Sequence, residues 1–170
     1  SKGFHGECGQ RGGYLEARNV SSEVMAQITK LQSIALCANL SGQVLVYLMV
    51  RPPEPGEASF DLYEKEKREI LGELAARARL LAEGLNRIPG YSCAPITGAM
   101  YAYPRIKLPF GRSDSEYCLA LLEETGICLV PGEGFGQVEG SAHFRTTILP
   151  PREQLHQVLE KLENFHRRWR

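Results

Sequence analysis

The sequence predicts an α/β chain: a short strand and two helices, one long connecting helix, then a compact α+β unit. Three observations predict this. Ile70, Leu74, Ala78, Leu81, Leu85 and Ile88 recur at helical spacing and mark one long amphipathic helix. After Pro89-Gly90, short apolar runs alternate with helical patterns in the order β-β-α-β-β-α. The length of 170 residues, with 43% hydrophobic and 24% charged, matches about one ordinary globular domain.

Each element has its local reason. Tyr14 to Arg18 reads as a short strand leaving a glycine-dense opening. Ser21 or Ser22 can cap a following helix, with Val24, Ile28, Leu31 and Ala35 on one side. The stretch from Asn39 to Gly42 interrupts that pattern. A second, strongly apolar helix, Gly42 to Val50, ends at Pro52-Pro53 and should be buried on most sides. The long helix covers about 59–86 and carries Glu64/Arg68, Glu73/Arg77 and Glu83/Arg87 in the favoured i,i+4 order. At ~1.5 Å per residue it is about 40 Å long. Strands follow at 91–94 and 99–106. Ser113 with Glu116 forms a capping box for a helix ending near Gly126, its inner stripe being Cys118, Leu121, Leu122 and Thr125. A buried strand at 127–130, a glycine-rich loop at 131–140 and a strand at 143–149 come next. Pro150-Pro151 opens a last helix with Leu155, Val158, Leu159, Leu162, Phe165 and Trp169 on one side.

Composition removes several function classes. Lys and Arg number 20, as do Asp and Glu, so the formal net charge is zero. A sequence-independent nucleic-acid surface needs an excess of basic residues. No apolar run is long enough to span a membrane. Five cysteines at wide, irregular spacing, with no CxxC, fit free, buried or half-buried thiols in a reducing compartment rather than a zinc ribbon or disulfide scaffold. The chain opens without Met and without a signal or transit sequence, and reads as the interior of a longer protein.

Chemistry can sit in few places. Gly132-Glu133-Gly134-Phe135-Gly136 lacks the last glycine of a dinucleotide fingerprint and precedes a strand, so it reads as a turn. His5-Gly6-Glu7 lacks the P-C-x-x-C partner of a zinc deaminase, and no HExxH or G-x-S-x-G occurs. Lys2 precedes a glycine-dense turn that ends in Arg11. Such a turn can point backbone N–H groups at an anion, and an arginine fork can clamp phosphate oxygens. A lysine beside that anion can act as an amine nucleophile; the other reading of Lys2 is a solvated tail. Arg145 shares a strand face with His143 and Thr147, opposite Phe144, Thr146 and Ile148. Either it grips a carboxylate with two parallel hydrogen bonds, or it is a surface ion pair.

The opening segment Ser-Lys-Gly-Phe-His-Gly-Glu-Cys-Gly-Gln-Arg-Gly-Gly-Tyr resembles that of the alanine aminotransferases, in the class I, fold type I group that uses pyridoxal phosphate. The likeness continues through Thr97 to Tyr101, Leu121 to Cys128, Val130 to Gln137 and His143 to Pro151. It implies the end of a large cofactor-binding domain at 1–56, an interdomain helix at 57–90 and a small α+β C-terminal domain at 91–170. It implies Lys2 as the catalytic lysine that binds the cofactor aldehyde, Arg11 as the phosphate ligand and Arg145 as the ligand of the substrate α-carboxylate. It implies no metal site. The reaction implied converts L-alanine and 2-oxoglutarate to pyruvate and L-glutamate, with glyoxylate-linked or other 2-oxoacid aminotransferases as the alternative. A non-catalytic fragment that keeps part of the fold is a further alternative. Such proteins act as homodimers on small amino and oxo acids, in the cytoplasm or the mitochondrion. Because much of the large domain of such enzymes has no counterpart here, the chain alone should be inactive.

Overall fold

The computed structural model describes residues 8–169. The chain divides into two compact units, Ser1–Arg68 and Glu69–Arg170.

The described part of the first unit is built on two helices. Helix α1 (Ser22–Gln32) is capped by Ser21, whose hydroxyl accepts from the Val24 N–H. Helix α2 (Leu40–Val50) is capped by Asn39, which accepts from the Ser41 N–H at 3.1 Å. The expected strand at 14–18 does not form, and Tyr14 and Leu15 are exposed. A strand needs a neighbour for its N–H and C=O groups, and no described segment offers one. Nor is α2 buried on most sides: Gly42 is its one buried residue, while Leu40, Val44, Tyr47 and Val50 are exposed. Within its own unit, the neighbour it meets is the short glycine-dense segment before Tyr14.

Helix α3 (Phe60–Arg87) confirms the long amphipathic pattern, and its C-terminal part enters the second unit. Ala78, Leu81, Ala82 and Leu85 are buried, whereas Ile70 at the N-terminal end of the stripe is exposed. Two of the expected ion pairs form, Glu73–Arg77 and Glu83–Arg87. Glu64 instead pairs with Lys67 one residue earlier, and Arg68 turns to the Glu64 carbonyl.

The second unit holds the core. Strands β1 (Tyr91–Ser92), β2 (Tyr101–Ala102), β3 (Arg105–Ile106), β4 (Val130–Pro131) and β5 (Ala142–Thr147) form an antiparallel sheet around β5. Strands β2 and β3 pair with β5 in one register, Tyr101 with Thr147 and Arg105 with His143. They are one strand interrupted at Tyr103-Pro104, because Pro104 has no N–H to give the ladder. Its carbonyl still accepts from the Phe144 N–H at 3.2 Å. One sheet face carries Ala102, Pro104, Ile106, Phe144 and Ile148, all buried. That face joins a single apolar cluster with α3, helix α4 (Asp114–Thr125) and helix α5 (Arg152–Trp169).

Helix α4 has the capping box at both of its bonds and ends on Gly126 at φ 75°, a left-handed conformation that favours glycine. Its inner residues are Tyr117, Cys118 and Leu121, while Leu122 is exposed. Leu122 lies 100° around the helix from Leu121, outside the arc that Tyr117 and Cys118 share. Helix α5 buries Leu155, Leu162, Phe165 and His166. Gly84 lets α3 and α5 meet closely: a Cβ there would lie 2.3 Å from Leu159. Glu73 receives both Arg77 and Arg152, and Arg77 also donates to the Leu149 carbonyl at 2.7 Å. The thiols divide unevenly. Cys93 and Cys118 are buried, but Cys8, Cys37 and Cys128 are exposed, so burial is not the general rule expected for them. Burial first, then the nearby Asp114, pushes the Cys118 thiol up to about 12.

Candidate active site

Lys2 lies among residues 1–7, outside the described residues. Arg11 belongs to the first unit, where the backbone is held tightly. Gly12 and Gly42 touch so closely that a Cβ on Gly12 would lie 2.4 Å from the Gly42 carbonyl oxygen. A Cβ on Gly42 would lie 2.2 Å from the Arg11 carbonyl oxygen. Asn39 uses its oxygen to cap α2 and donates its amide to the Gln10 carbonyl at 2.8 Å. Arg11 itself sits at φ 43°, a left-handed conformation costly for a residue with a Cβ. Its side chain is exposed and forms no ion pair with a described carboxylate. The local structure therefore presets the backbone of a cation without neutralising it.

Arg145 belongs to the second unit, on the sheet face opposite the core. It is half-buried. Its guanidinium carbon lies 4.6 Å from the Tyr101 ring centroid and 5.0 Å from that of Phe135. Each such contact contributes about 0.5–2 kcal/mol, more as water is removed. No described carboxylate pairs with Arg145, which removes the surface-ion-pair reading among the described residues. Two rings lie against the guanidinium, and a planar fork steadied by aromatic contacts suits the edge-on approach of a carboxylate.

Next to it runs a polar network. The common register of β2 and β3 on β5 sets Tyr103 opposite Arg145. The Tyr103 ring stacks on His143 at 4.8 Å and meets Phe135 edge-on at 5.7 Å. Its hydroxyl donates to the Gly132 carbonyl at 3.2 Å. Gln137 donates its amide to Asp114 at 2.6 Å, so its oxygen faces His143 Nδ1 at 2.9 Å. Nδ1 therefore carries the hydrogen in this arrangement. Burial first, then Arg105, holds the His143 imidazole below its usual value, with Asp114 opposing. An open cavity of about 580 Å³ lies beside Tyr103, Phe135, Gln137 and His143.

Solved structures similar to this one include aminotransferases. An alanine aminotransferase from Pyrococcus furiosus matches with a TM-score of 0.71 and 31% identity, over 89% of this chain and 36% of that one. An aminotransferase from Escherichia coli matches with a TM-score of 0.71 and 25% identity, over 88% and 35%. The chain thus has part of the architecture of the fold type I transferases. It belongs to the family of class I and II aminotransferases, whose pattern covers residues 1–162. Among curated proteins it is similar to alanine aminotransferase 1 of Mus musculus, 51% identical over 98% of this chain. It is also similar to a probable mitochondrial alanine aminotransferase of Dictyostelium discoideum, at 52%. The chain spans about a third of the length of these relatives, 36% and 33%. No helix among the described residues is long and apolar enough to cross a membrane.

Family membership implies pyridoxal phosphate, and the described residues fit its phosphate end: Arg11 is cationic, exposed and fixed in backbone conformation. The motif spacing singled out Arg11 and Arg145 but missed the residues that set them. Asn39 looked like a break between helices. Tyr103, Phe135, Gln137 and Asp114 are brought to Arg145 and His143 by sheet register and loop closure, which leave no local pattern.

Proposed function

We propose that the protein of which this chain forms a part transfers the amino group of L-alanine to 2-oxoglutarate, yielding pyruvate and L-glutamate. The identity of about half its residues with alanine aminotransferases supports this reading. The observation that carries it is Arg145, flanked by Tyr101 and Phe135 with no described acid to neutralise it. Lys2 and Arg11 would hold pyridoxal phosphate, the lysine through its amine and the arginine through phosphate oxygens. When bound, that group supplies an electron sink for the charge left on the substrate Cα. Lys2 Nζ would act as the general base that takes the proton from the substrate Cα. Arg145 holds the α-carboxylate, orienting the Cα–H bond toward that amine. Residues 1–56 belong to a larger cofactor-binding domain, 57–90 to a connecting helix and 91–170 to a small domain. The whole protein is a homodimer, and this chain by itself does not turn over.

The test is pyruvate formation from alanine and 2-oxoglutarate by the longer protein that contains this chain. Arg145→Gln should raise KM for both acids about 10- to 100-fold, the loss expected for a charge-assisted pair. Unchanged KM values would remove Arg145 from the site, and absence of pyruvate would remove the activity. Faster turnover with glyoxylate would reassign the acceptor.

A further inference from the structure

We propose that Gln137, His143, Asp114 and Tyr103 are positioning residues that hold Phe135 against the Arg145 guanidinium and so set its affinity for a carboxylate. The affinity part rests on the reading of Arg145 given above.

Phe135 ends the short 3-10 turn Gly132–Phe135, which has no side-chain cap. Phe135 is 46% exposed, so burial alone does not fix it. The turn is instead fastened on both sides. Before it, the Gly132 carbonyl accepts from Tyr103. After it, Gln137 bridges Asp114 and His143. Asp114 is 3% exposed, and its Oδ2 receives both the Gln137 amide and the His143 backbone N–H. A buried carboxylate with two donors is a strong anchor, and losing one donor is costly. Gly132 lies inside this closure: a Cβ there would lie 2.4 Å from Gln137 Oε1 and 2.8 Å from both His143 Cβ and Tyr103 Oη. The Tyr103 ring then completes the path, stacked on His143 and edge-on to Phe135. Arg145, Tyr103 and His143 share the sheet face away from the apolar cluster, so the closure is not part of the main core.

If Gln137 lost its hydrogen bonds, the turn would keep the Tyr103 bond to Gly132 and the Ser115 bond to Glu133, but no described hydrogen bond would hold it on the Phe135 side. Phe135 would leave the guanidinium, which would gain water and rotamer freedom. Gln137→Met separates this from simple packing, because it keeps the side-chain volume and removes every hydrogen bond. Tyr103→Phe is the milder variant, keeping the ring contacts and losing only the Gly132 bond.

The experiment follows the Arg145 Nε–H resonance in this chain by NMR, with thermal melts confirming that each variant folds. Without added acid, Gln137→Met should move that resonance downfield as ring-current shielding is lost, and Tyr103→Phe should move it less. If both folded variants leave it unmoved, the positioning role is overturned. Titration with 2-oxoglutarate should move the resonance in the wild-type chain, with about fivefold weaker binding in Gln137→Met. Equal binding by the two overturns the affinity part. A wild-type resonance that ignores the acid overturns the carboxylate role of Arg145, while the acid-free comparison still decides whether the network holds Phe135.

Discussion

Residues 8–68 and residues 69–169 are folded to different depths. The first stretch has two capped helices, yet Gly42 is its one buried described residue, and Ile34 and Leu36 are about four-fifths exposed at 80% and 81%. Every buried hydrophobic residue among those described lies in the second stretch, from Ala78 to Phe165. Caps and periodicity act over a few residues and need no partner. Stability comes from apolar area removed from water, and only the second stretch removes much. The contrast shows that a helix can be specified by its sequence without being sustained by its surroundings.

The strongest way to break this comparison is a pair of truncations. Phe144→Ala, at a fully buried position, should cost about 3–5 kcal/mol in denaturant unfolding. Leu36→Ala, in the first unit, should stay within about 0.5 kcal/mol. Equal costs would mean that the first unit hides apolar surface after all. A smaller effect is expected where the first unit does pack. Gly42→Ala forces a Cβ against the Arg11 carbonyl and should cost about 1–3 kcal/mol locally. Faster hydrogen exchange of the Asn39 side-chain amide would report the release of Gln10; unchanged protection would show that Asn39 and the glycine contact are independent. The smallest effect concerns an exposed fastening in the second unit. Arg152 first, and Arg77 second, hold the Glu73 carboxyl below its ordinary value of 4.5. A lowered folded-state value contributes stability above that ordinary value and loses it as pH falls through the lower one. The Tm advantage of wild type over Glu73→Gln should therefore be present at pH 6 and fade on acidification through the lowered Glu73 value. A constant gap would assign the effect to packing.

These depths also decide what was legible. The capping box of α4, its Gly126 stop and the long stripe of α3 are local patterns, and the sequence shows each of them within a few residues. The expected strand at 14–18 and the expected burial of α2 depend on partners, so neither follows from their own residues. His166 reads as part of a basic helix end, yet it is 1% exposed, its ring tilted against Tyr91 with centroids 4.6 Å apart. The candidate site divides in the same way. Arg11 and Arg145 stand out because arginine beside glycines, or within an apolar strand, asks for a counter-charge. Asp114 and Gln137 do not, because a helix start and a loop supply ordinary reasons for both residue types.

The uneven distribution of thiols has a practical meaning. Two sulfurs are silent toward electrophiles at neutral pH, since burial disfavours their thiolates, while three face water. Both silent ones, Cys93 and Cys118, lie within the apolar cluster. Alkylation stoichiometry is thus a built-in gauge of integrity: a fourth modified sulfur announces that the interior of the second unit has opened, without any added label.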